Sequence, residues 1–369
     1  MEVNSAAFWL TFFCFFLKFY FILAKIIVIY RLKWYNHIGR ETASLQGDIF
    51  VKYTVLPEDN GRTVKEILRG RLGLSSALIK HLKFLENGIM LGEEKVTVRR
   101  TVSTGDVLSL AVEDRSMGEA LTPTDIPLSI IYEDEQLVIP NKPPFMPTHP
   151  SHLHHGDTLA DALAYRYRNC DIPFVFRPIN RLDRNTSGLT LIARNRISAA
   201  RLTEAMRSGR IKKQYLAVLS GTPTQREGLI DTYMRRTAKS IIVRENCGEG
   251  EGGDRALTRY RVLFSSGEHC LVLASPITGR THQLRVHFAG LGCPIVGDDI
   301  YGSTHTLIPR HALHALTLTL PHPTTKEDMT VTAPLPEDMQ SLIRSLFGKD
   351  LCLDGLYSEE IDLSSCENI

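Results

Sequence analysis

The sequence has few cysteines and none of the paired spacings that metal sites and disulfide frameworks use. Its seven cysteines are scattered over 369 residues and form no C-x-x-C pair. An odd, irregular set of this kind indicates reduced thiols in a reducing compartment and argues against a zinc or disulfide scaffold. We therefore expect a cytoplasmic protein that binds no structural metal.

Recognisable cofactor signals are also lacking. Four histidines lie close together, but no cysteine or carboxylate stands at ligand spacing, so we interpret this stretch as a flexible loop that either faces RNA or is simply solvated. They are His149, His152, His154 and His155. The formal G-x-G-x-x-G at 248–253 is flanked by carboxylates that would repel a pyrophosphate, and a strand pattern follows it rather than a helix. It is interpreted as a hairpin tip, and no nucleotide or redox cofactor is expected.

The chain has little net charge, formally +2 at pH 7, which by itself does not favour a nucleic-acid partner. The charge is, however, unevenly distributed. Residues 350–369 contain six acidic residues and no lysine or arginine, which leaves residues 1–349 with a net charge of +8. The body of the chain is thus moderately basic and its tail is acidic.

No uninterrupted apolar run reaches the ~18 residues of a membrane-spanning helix. Residues 6–30 come nearest, but Lys18 and Lys25 interrupt them. Our first interpretation of residues 1–48 is that the start of translation has been misassigned, although no methionine lies between Met1 and Met90. Our second interpretation is a membrane or signal segment. A membrane partner is not expected, and mass spectrometry of the native N-terminus would distinguish a membrane-attached protein.

An arginine-rich stretch around a single carboxylate is the first strong candidate site. Arg177, Arg181 and Arg184 surround Asp183, a tight turn follows at 186–188, and the apolar run 189–193 predicts a buried strand. Nearby positive charge favours the ionised form of the aspartate. Without further context, a surface ion-pair cluster would explain these residues equally well.

A second strong stretch follows the strand predicted at 271–274. Gly279 allows a turn into a helix, which is predicted to present an apolar face and a face that carries His282 and Arg285. The apolar face contains Leu284, Phe288 and Leu291.

These stretches resemble the motifs of the RluA-type pseudouridine synthases. Residues 181–188 match R-L-D-x-x-T-S-G, residues 213–221 match K-x-Y-x-A-x-x-x-G, and residues 278–287 match T-G-R-T-H-Q-x-R-V-H. Asn141-Lys142-Pro143, with His149-Pro150 downstream, resembles the first motif of the catalytic domain. Several motifs in the right order are far more specific than any one of them. One departure is Asn180, where the family often has histidine.

The resemblance implies an α+β fold in which the catalytic domain is built on a mixed, mostly antiparallel sheet with helices at its edges. We assign this domain to residues 128–347, after a linker at 114–127 and before an acidic tail at 348–369.

A smaller unit is expected at residues 50–113. Thr63-x-x-Glu66 is a capping box that begins a helix, Ser75 or Ser76 caps a second helix, and short strands are predicted at 89–91 and 107–112. Basic residues fall on the outer helix faces: Arg69, Arg71, Lys80 and Lys83. This order resembles a small α/β S4-like RNA-binding domain, which would contact mainly phosphates.

The resemblance also implies roles for individual residues. Asp183 is the expected catalytic carboxylate, acting at C1′ as a nucleophile or at C2′ as a base, and Arg285 is its partner. Tyr215 is expected to stack on the target uracil, and Arg181 to fill the place of the flipped-out nucleotide. Further RNA contacts are expected from Arg184, Lys142, Lys213, Arg280, His282, Lys80, Lys83 and Arg69.

The implied activity is the isomerisation of uridine to pseudouridine in structured RNA by a monomeric enzyme without a cofactor, because no electrons or groups enter or leave. Large-subunit ribosomal RNA is the expected target, and transfer RNA is the alternative. An RNA-binding assembly factor that has lost catalysis is a second class of function. The intact set of Asp183, Tyr215 and Arg285 argues against it.

Overall fold

The structure is a computed structural model, and it describes residues 50–348 except 75, 86, 112–120, 152, 239 and 241. The apolar N-terminal segment, half of the predicted linker (residues 114–120) and nearly all of the acidic tail lie outside the described residues. Among the residues that are described, none of the helices is long and apolar enough to cross a membrane.

Residues 50–111, called here the N-terminal module, form a four-stranded antiparallel sheet with two helices. Its strands are β1 (Phe50–Thr54), β2 (Ile89–Leu91), β3 (Glu94–Lys95) and β4 (Val107–Ala111), in the order β1-β4-β2-β3. A 3-10 turn (Pro57–Asp59) precedes the first helix. The two helices are α1 (Val64–Glu66), which continues as a π-helical turn (Ile67–Arg71), and α2 (Ser76–Phe84).

The predicted capping box begins α1. The Glu66 carboxylate accepts a hydrogen bond of 2.8 Å from the Thr63 amide, and the Thr63 hydroxyl accepts one of 3.3 Å from the Glu66 amide. Behind this cap, Val64, Ile67 and Leu68 are completely buried in the core of the module. The apolar spacing of this segment was therefore interpreted correctly.

The N-terminal module packs directly against the catalytic domain. Ile197 of the catalytic domain is buried in the core of the module. The Arg201 guanidinium donates to the Leu72 carbonyl oxygen at 3.2 Å and to the Pro323 carbonyl oxygen at 2.8 Å. The two parts are consequently joined by apolar packing and by hydrogen bonds.

The catalytic domain is built on one mixed sheet of eleven strands, which confirms the predicted fold class. Its strands are β5 (Ser129–Glu133), β6 (Leu137–Lys142), β7 (Ser187–Leu189), β8 (Ile192–Ala193), β9 (Lys212–Ser220), β10 (Glu227–Arg236), β11 (Arg244–Cys247), β12 (Asp254–Ser266), β13 (His269–Pro276), β14 (Leu313–Pro321) and β15 (Asp328–Thr332). The main order is β11-β10-β12-β13-β9-β14-β7-β6-β5, with β15 paired to β14 and β8 paired to β6. All the pairings are antiparallel except that of β7 with β14.

Four helices cover the sheet: α3 (Leu159–Arg168), α4 (Arg196–Arg207), α5 (Gln283–Gly290) and α6 (Glu337–Phe347). α5 and α6 contribute Phe288 and Leu342 to the largest apolar core, which also contains the buried residues of β9 and β13. α4 contributes Leu202 to a second core, and α3 contributes Leu163 to a third. The amphipathic spacing of these segments thus places the helices against the sheet.

Gly188 permits the parallel contact between β7 and β14. Its φ is +112°, and a Cβ atom at this position would lie 2.2 Å from the carbonyl oxygen of Ala315. Neither the backbone conformation nor the space allows another residue without displacement of a strand. This close contact fixes the end of the loop that carries Asp183. The apolar run predicted as one strand is divided into β7 and β8, although all of it is buried.

Candidate active site

Asp183 lies in the loop before β7, with its side chain 29% exposed. The loop is fixed on both sides of it. The Leu182 carbonyl oxygen accepts a hydrogen bond of 3.0 Å from the buried Thr148 hydroxyl, and the Thr186 amide donates to the Asp183 carbonyl oxygen at 3.1 Å. The carboxylate is thus accessible from solvent while its backbone is held.

Arg285 lies beside Asp183 as predicted, but its planar fork is directed elsewhere. Nε and one terminal nitrogen each donate to the carboxylate of Asp298 at 2.7 Å, and only the other terminal nitrogen approaches Asp183 Oδ2, at 3.7 Å. The fork of the guanidinium therefore holds Asp298 and does not hold Asp183 directly. Asp298 aims the guanidinium, which leaves one edge of it for Asp183.

Arg285 and Asp298 form a buried ion pair, with exposed side-chain fractions of 4% and 0%. Burial lowers the pKa of Arg285, but hydrogen bonds and charge from Asp298 outweigh it and hold that pKa above its ordinary value. Burial likewise raises the pKa of Asp298, while the hydrogen bonds from Arg285 bring it below the ordinary value. Both groups are therefore charged at neutral pH.

His282 also faces Asp183, but from a different position than predicted. It is the N-cap of α5, with a left-handed φ of 59°, and does not share a helical face with Arg285. Its Nε2 lies 3.9 Å from Asp183 Oδ2, and its Nδ1 lies 2.9 Å from the Tyr301 hydroxyl. Burial lowers the pKa of His282, so its imidazole is neutral at neutral pH.

Tyr215 is both a core aromatic and a neighbour of Asp183. It lies in β9, paired with Ala274 on β13 and Ala315 on β14, and is 8% exposed. Burial raises its pKa, and the negative charge of Asp183 raises it further. The hydroxyl is accordingly protonated, and Tyr215 lies close enough to Asp183 to feel its charge.

Lys142 was expected to contact RNA, and the structure contradicts this. The side chain is completely buried, and its Nζ donates to three backbone carbonyl oxygens: Pro143 at 2.8 Å, Met146 at 2.8 Å and Arg184 at 3.1 Å. Burial lowers the pKa of Lys142 to about 7, while three acceptors favour the ammonium form. Lys142 ties the 143–146 loop to the Asp183 loop and does not reach the surface.

Arg310 supports the same loop from within the protein and was not identified in the sequence. It is 1% exposed, donates to the Asn185 carbonyl oxygen at 3.0 Å, and forms a fork with Asp338 on α6 at 2.7 and 2.9 Å. Together with Lys142, it places two buried cations against the backbone that follows Asp183.

Two buried histidines complete this support. Thr186 bonds His311 at 2.7 Å, and Ser187 bonds His314 at 2.9 Å. Burial lowers the pKa of each histidine to about 3, so both rings are neutral. Neither these histidines nor Arg310 belongs to a pattern that marks them in the sequence.

The remaining residues predicted to bind RNA differ in exposure. Arg181 and Arg184 are exposed beside Asp183, whereas Lys213 is half-buried and lies near Gly279. Arg280 is directed to Asp254, at 3.3 Å. On the N-terminal module, the exposed residues are Arg69, Lys80 and Lys83. Arg71, by contrast, is engaged by the buried Asp59 through hydrogen bonds of 2.8 and 2.9 Å.

Chemically, the site offers an accessible carboxylate next to a buried guanidinium, a neutral imidazole and an aromatic ring. Such a carboxylate can act as a nucleophile or a base, and the buried cation favours its charged form. Within the described part of the chain, His, Cys, Asp and Glu side chains nowhere gather in groups of three or more that could hold a metal ion. His154 pairs instead with Asp157, at 2.6 Å.

Comparison with known proteins agrees with this chemistry. The family model described as RNA pseudouridylate synthase matches residues 136–290. An uncharacterized RNA pseudouridine synthase of Bacillus subtilis, YjbO, is 36% identical over 282 residues, which cover 76% of this chain and 98% of the relative. This chain belongs to the RNA pseudouridine synthase family. It is therefore an isomerase that acts on RNA.

Two other relatives of this pseudouridine synthase have more specific names. Proteins named ribosomal large subunit pseudouridine synthase D are 34% identical in Xanthomonas campestris and 35% identical in Pseudomonas aeruginosa. The matches cover 70% and 67% of this chain, and 80% of each relative.

Proposed function

We propose that this enzyme converts uridine to pseudouridine in large-subunit ribosomal RNA, with Asp183 as the catalytic carboxylate. The observation that carries the proposal is the position of Asp183: it is 29% exposed and faces Arg285 and His282, in a loop that is otherwise held by buried groups. A carboxylate fixed in this way can meet C1′ or C2′ of a nucleotide that enters from solvent.

The reaction breaks the N1–C1′ bond, turns the uracil and joins C5 to C1′; the hydrogen lost from C5 is balanced by one gained at N1. In our proposal, Asp183 acts on the ribose while Arg285 keeps it charged and oriented. The ring of Tyr215 bounds the space in which the detached uracil turns, and the buried surroundings keep out water that would otherwise trap the ribose.

The choice of RNA rests on two supports. Relatives named for the large ribosomal subunit cover most of this chain, and the N-terminal module presents exposed basic residues on its helices. Such residues contact phosphates and position an RNA without reading its sequence. Arg181 and Arg184, beside Asp183, provide positive charge where the target nucleotide is flipped out of its stack.

The proposal is tested by mapping pseudouridines in ribosomal and transfer RNA from three strains. They lack the gene, carry the wild-type gene, or carry a gene with Asp183→Asn. We expect one or more large-subunit sites to lose pseudouridine in the first and third strains and to regain it only with the wild-type gene. A change confined to transfer RNA would reject the ribosomal target. Restoration by the Asp183→Asn protein would reject catalysis by Asp183.

The role of the N-terminal module can be tested without removing it. Deletion would expose Ile197 and leave Arg201 without its Leu72 partner, so charge removal is the cleaner change. We expect the triple variant Arg69→Gln, Lys80→Gln, Lys83→Gln to bind large-subunit RNA more weakly. A plot of the logarithm of its binding constant against the logarithm of the salt concentration should become less steep. The slope should change by about 0.9 for each phosphate that the variant no longer neutralises. Titrations of the affinity at several salt concentrations measure this.

A matched triple variant controls for the loss of three charges as such. It removes three exposed cations of the catalytic domain: Arg168, Arg207 and Lys326. We expect the slope to change much less in this variant. Equal slopes in the two triple variants would mean that the N-terminal module has no specific role in binding RNA.

A further inference from the structure

One aromatic residue beside the active site has a backbone conformation that its side chain disfavours. Among the described residues, four other than glycine have positive φ: Phe145 (64°), Asp171 (54°), His282 (59°) and Lys326 (66°). Short polar side chains tolerate this region, whereas a phenylalanine meets its steric cost without a compensating local hydrogen bond. Strained residues are concentrated at functional sites, and His282 already lies at this one.

The ring of Phe145 does not contribute to the core. It is 44% exposed, belongs to none of the buried apolar clusters, and makes no ring contact with another aromatic residue in the part of the chain that the structure describes. The ring therefore adds nothing to the buried apolar core. A glycine would suit the backbone better.

The 143–146 loop, which contains Phe145, is nevertheless held against the Asp183 loop, called here the catalytic loop. The Phe145 carbonyl oxygen accepts a hydrogen bond of 3.2 Å from Arg184 Nε. The neighbouring carbonyl oxygens of Pro143 and Met146 accept from Lys142 Nζ, which also donates to Arg184. The backbone that carries this exposed aromatic ring is thus held by a direct hydrogen bond from Arg184, the residue that follows Asp183.

We propose that Phe145 stacks on a base of the RNA next to the target uridine. When the uridine leaves its stack, a neighbouring base loses its partner, and an aromatic side chain can replace it. Phe145 is suited to this because its backbone is held before binding, so little backbone freedom is lost. The exposed Arg181 and Arg184 in the catalytic loop supply the positive charge that the adjoining phosphates require. The inference rests on the proposed function and adds an RNA-contacting residue to it.

Three variants separate the ring from the backbone. Phe145→Gly removes the ring and relieves the conformation, Phe145→Leu keeps apolar bulk without a π face, and Phe145→Tyr keeps the face. We expect the dissociation constant for unmodified large-subunit RNA transcript to rise roughly tenfold in the first two and to stay near wild type in the third. The single-turnover rate at subsaturating RNA should fall in parallel. The glycine variant should unfold at or above the wild-type temperature.

Asp171→Gly is the matched control, because it also replaces an exposed residue of positive φ but lies at the end of α3. It should leave RNA affinity unchanged. Wild-type affinity and rate in the glycine and leucine variants would overturn the proposal, as would a loss in the tyrosine variant equal to that in leucine. The comparison uses whichever RNA the wild-type enzyme modifies, large-subunit or transfer RNA. If the enzyme does not modify ribosomal RNA, the wild-type protein already shows it. That result is distinct from a result in which Phe145 does not stack on a base.

Discussion

Asp183→Asn should abolish pseudouridine formation while the protein still folds and binds RNA. The amide has nearly the shape of the carboxylate but cannot act as nucleophile or base, so we expect the single-turnover rate to fall by at least about 10³-fold, as it does when a catalytic group is removed. RNA affinity should stay the same or increase slightly, because one negative charge next to the RNA is lost. Single-turnover assays and RNA titrations at one salt concentration measure both quantities.

Asp328→Asn is the control for this change, since Asp328 is an exposed aspartate on β15. It should turn over and bind RNA like the wild type. A near-normal rate in Asp183→Asn would show that the reaction does not use this carboxylate. A large fall in the unfolding temperature would show instead that the substitution disrupts the loop.

Arg285→Lys should cut turnover by about a hundredfold or more, although it preserves the charge. A lysine cannot form the two bonds to Asp298 and at the same time present a nitrogen to Asp183. A displacement of ~1 Å at a catalytic group can cost about 10²-fold in rate. RNA affinity should change little, because Arg285 is 4% exposed and is not a phosphate contact. Rate, affinity and unfolding temperature should be measured on the same preparation.

Arg255→Lys provides a matched control for the loss of a fork. Arg255 also binds an aspartate in bidentate fashion, Asp231 at 2.9 and 2.5 Å, but both side chains are exposed. Exposed ion pairs contribute little to stability, so this variant should resemble the wild type. Asp298→Asn should lower the rate as Arg285→Lys does, because Arg285 loses its orienting carboxylate. A near wild-type rate in both Arg285→Lys and Asp298→Asn would contradict the orienting role.

The elements that local chemistry determines could be predicted from the sequence. The capping box at Thr63 begins a helix because cap and partner are three residues apart. The turn between β11 and β12, predicted as a hairpin tip at 248–253, likewise depends on neighbouring residues. Motif resemblance then placed Asp183, Tyr215 and Arg285 together, which no local pattern could do.

Contacts between distant segments account for what was missed. Lys142 is hydrophilic by type, and only the approach of the Arg184 backbone shows that it is buried. The sequence did not show that Asp298, thirteen positions after Arg285, would bind its guanidinium fork, so Asp183 was taken as the only partner of Arg285. His282 adopts a left-handed conformation that the helical spacing did not suggest.

The support beneath the catalytic loop has a consequence for the synthesis of the enzyme. The backbone after Asp183 is held by Arg310, and Arg310 in turn by Asp338, so the loop depends on residues translated 127 and 155 positions later. At about 5–20 residues per second, the ribosome needs roughly 8–30 s to pass from Asp183 to Asp338. Contacts of such long range form only after the chain between them exists. The nascent enzyme therefore emerges with its catalytic carboxylate already made but without the groups that fix it, and it gains its complete site only when translation reaches α6.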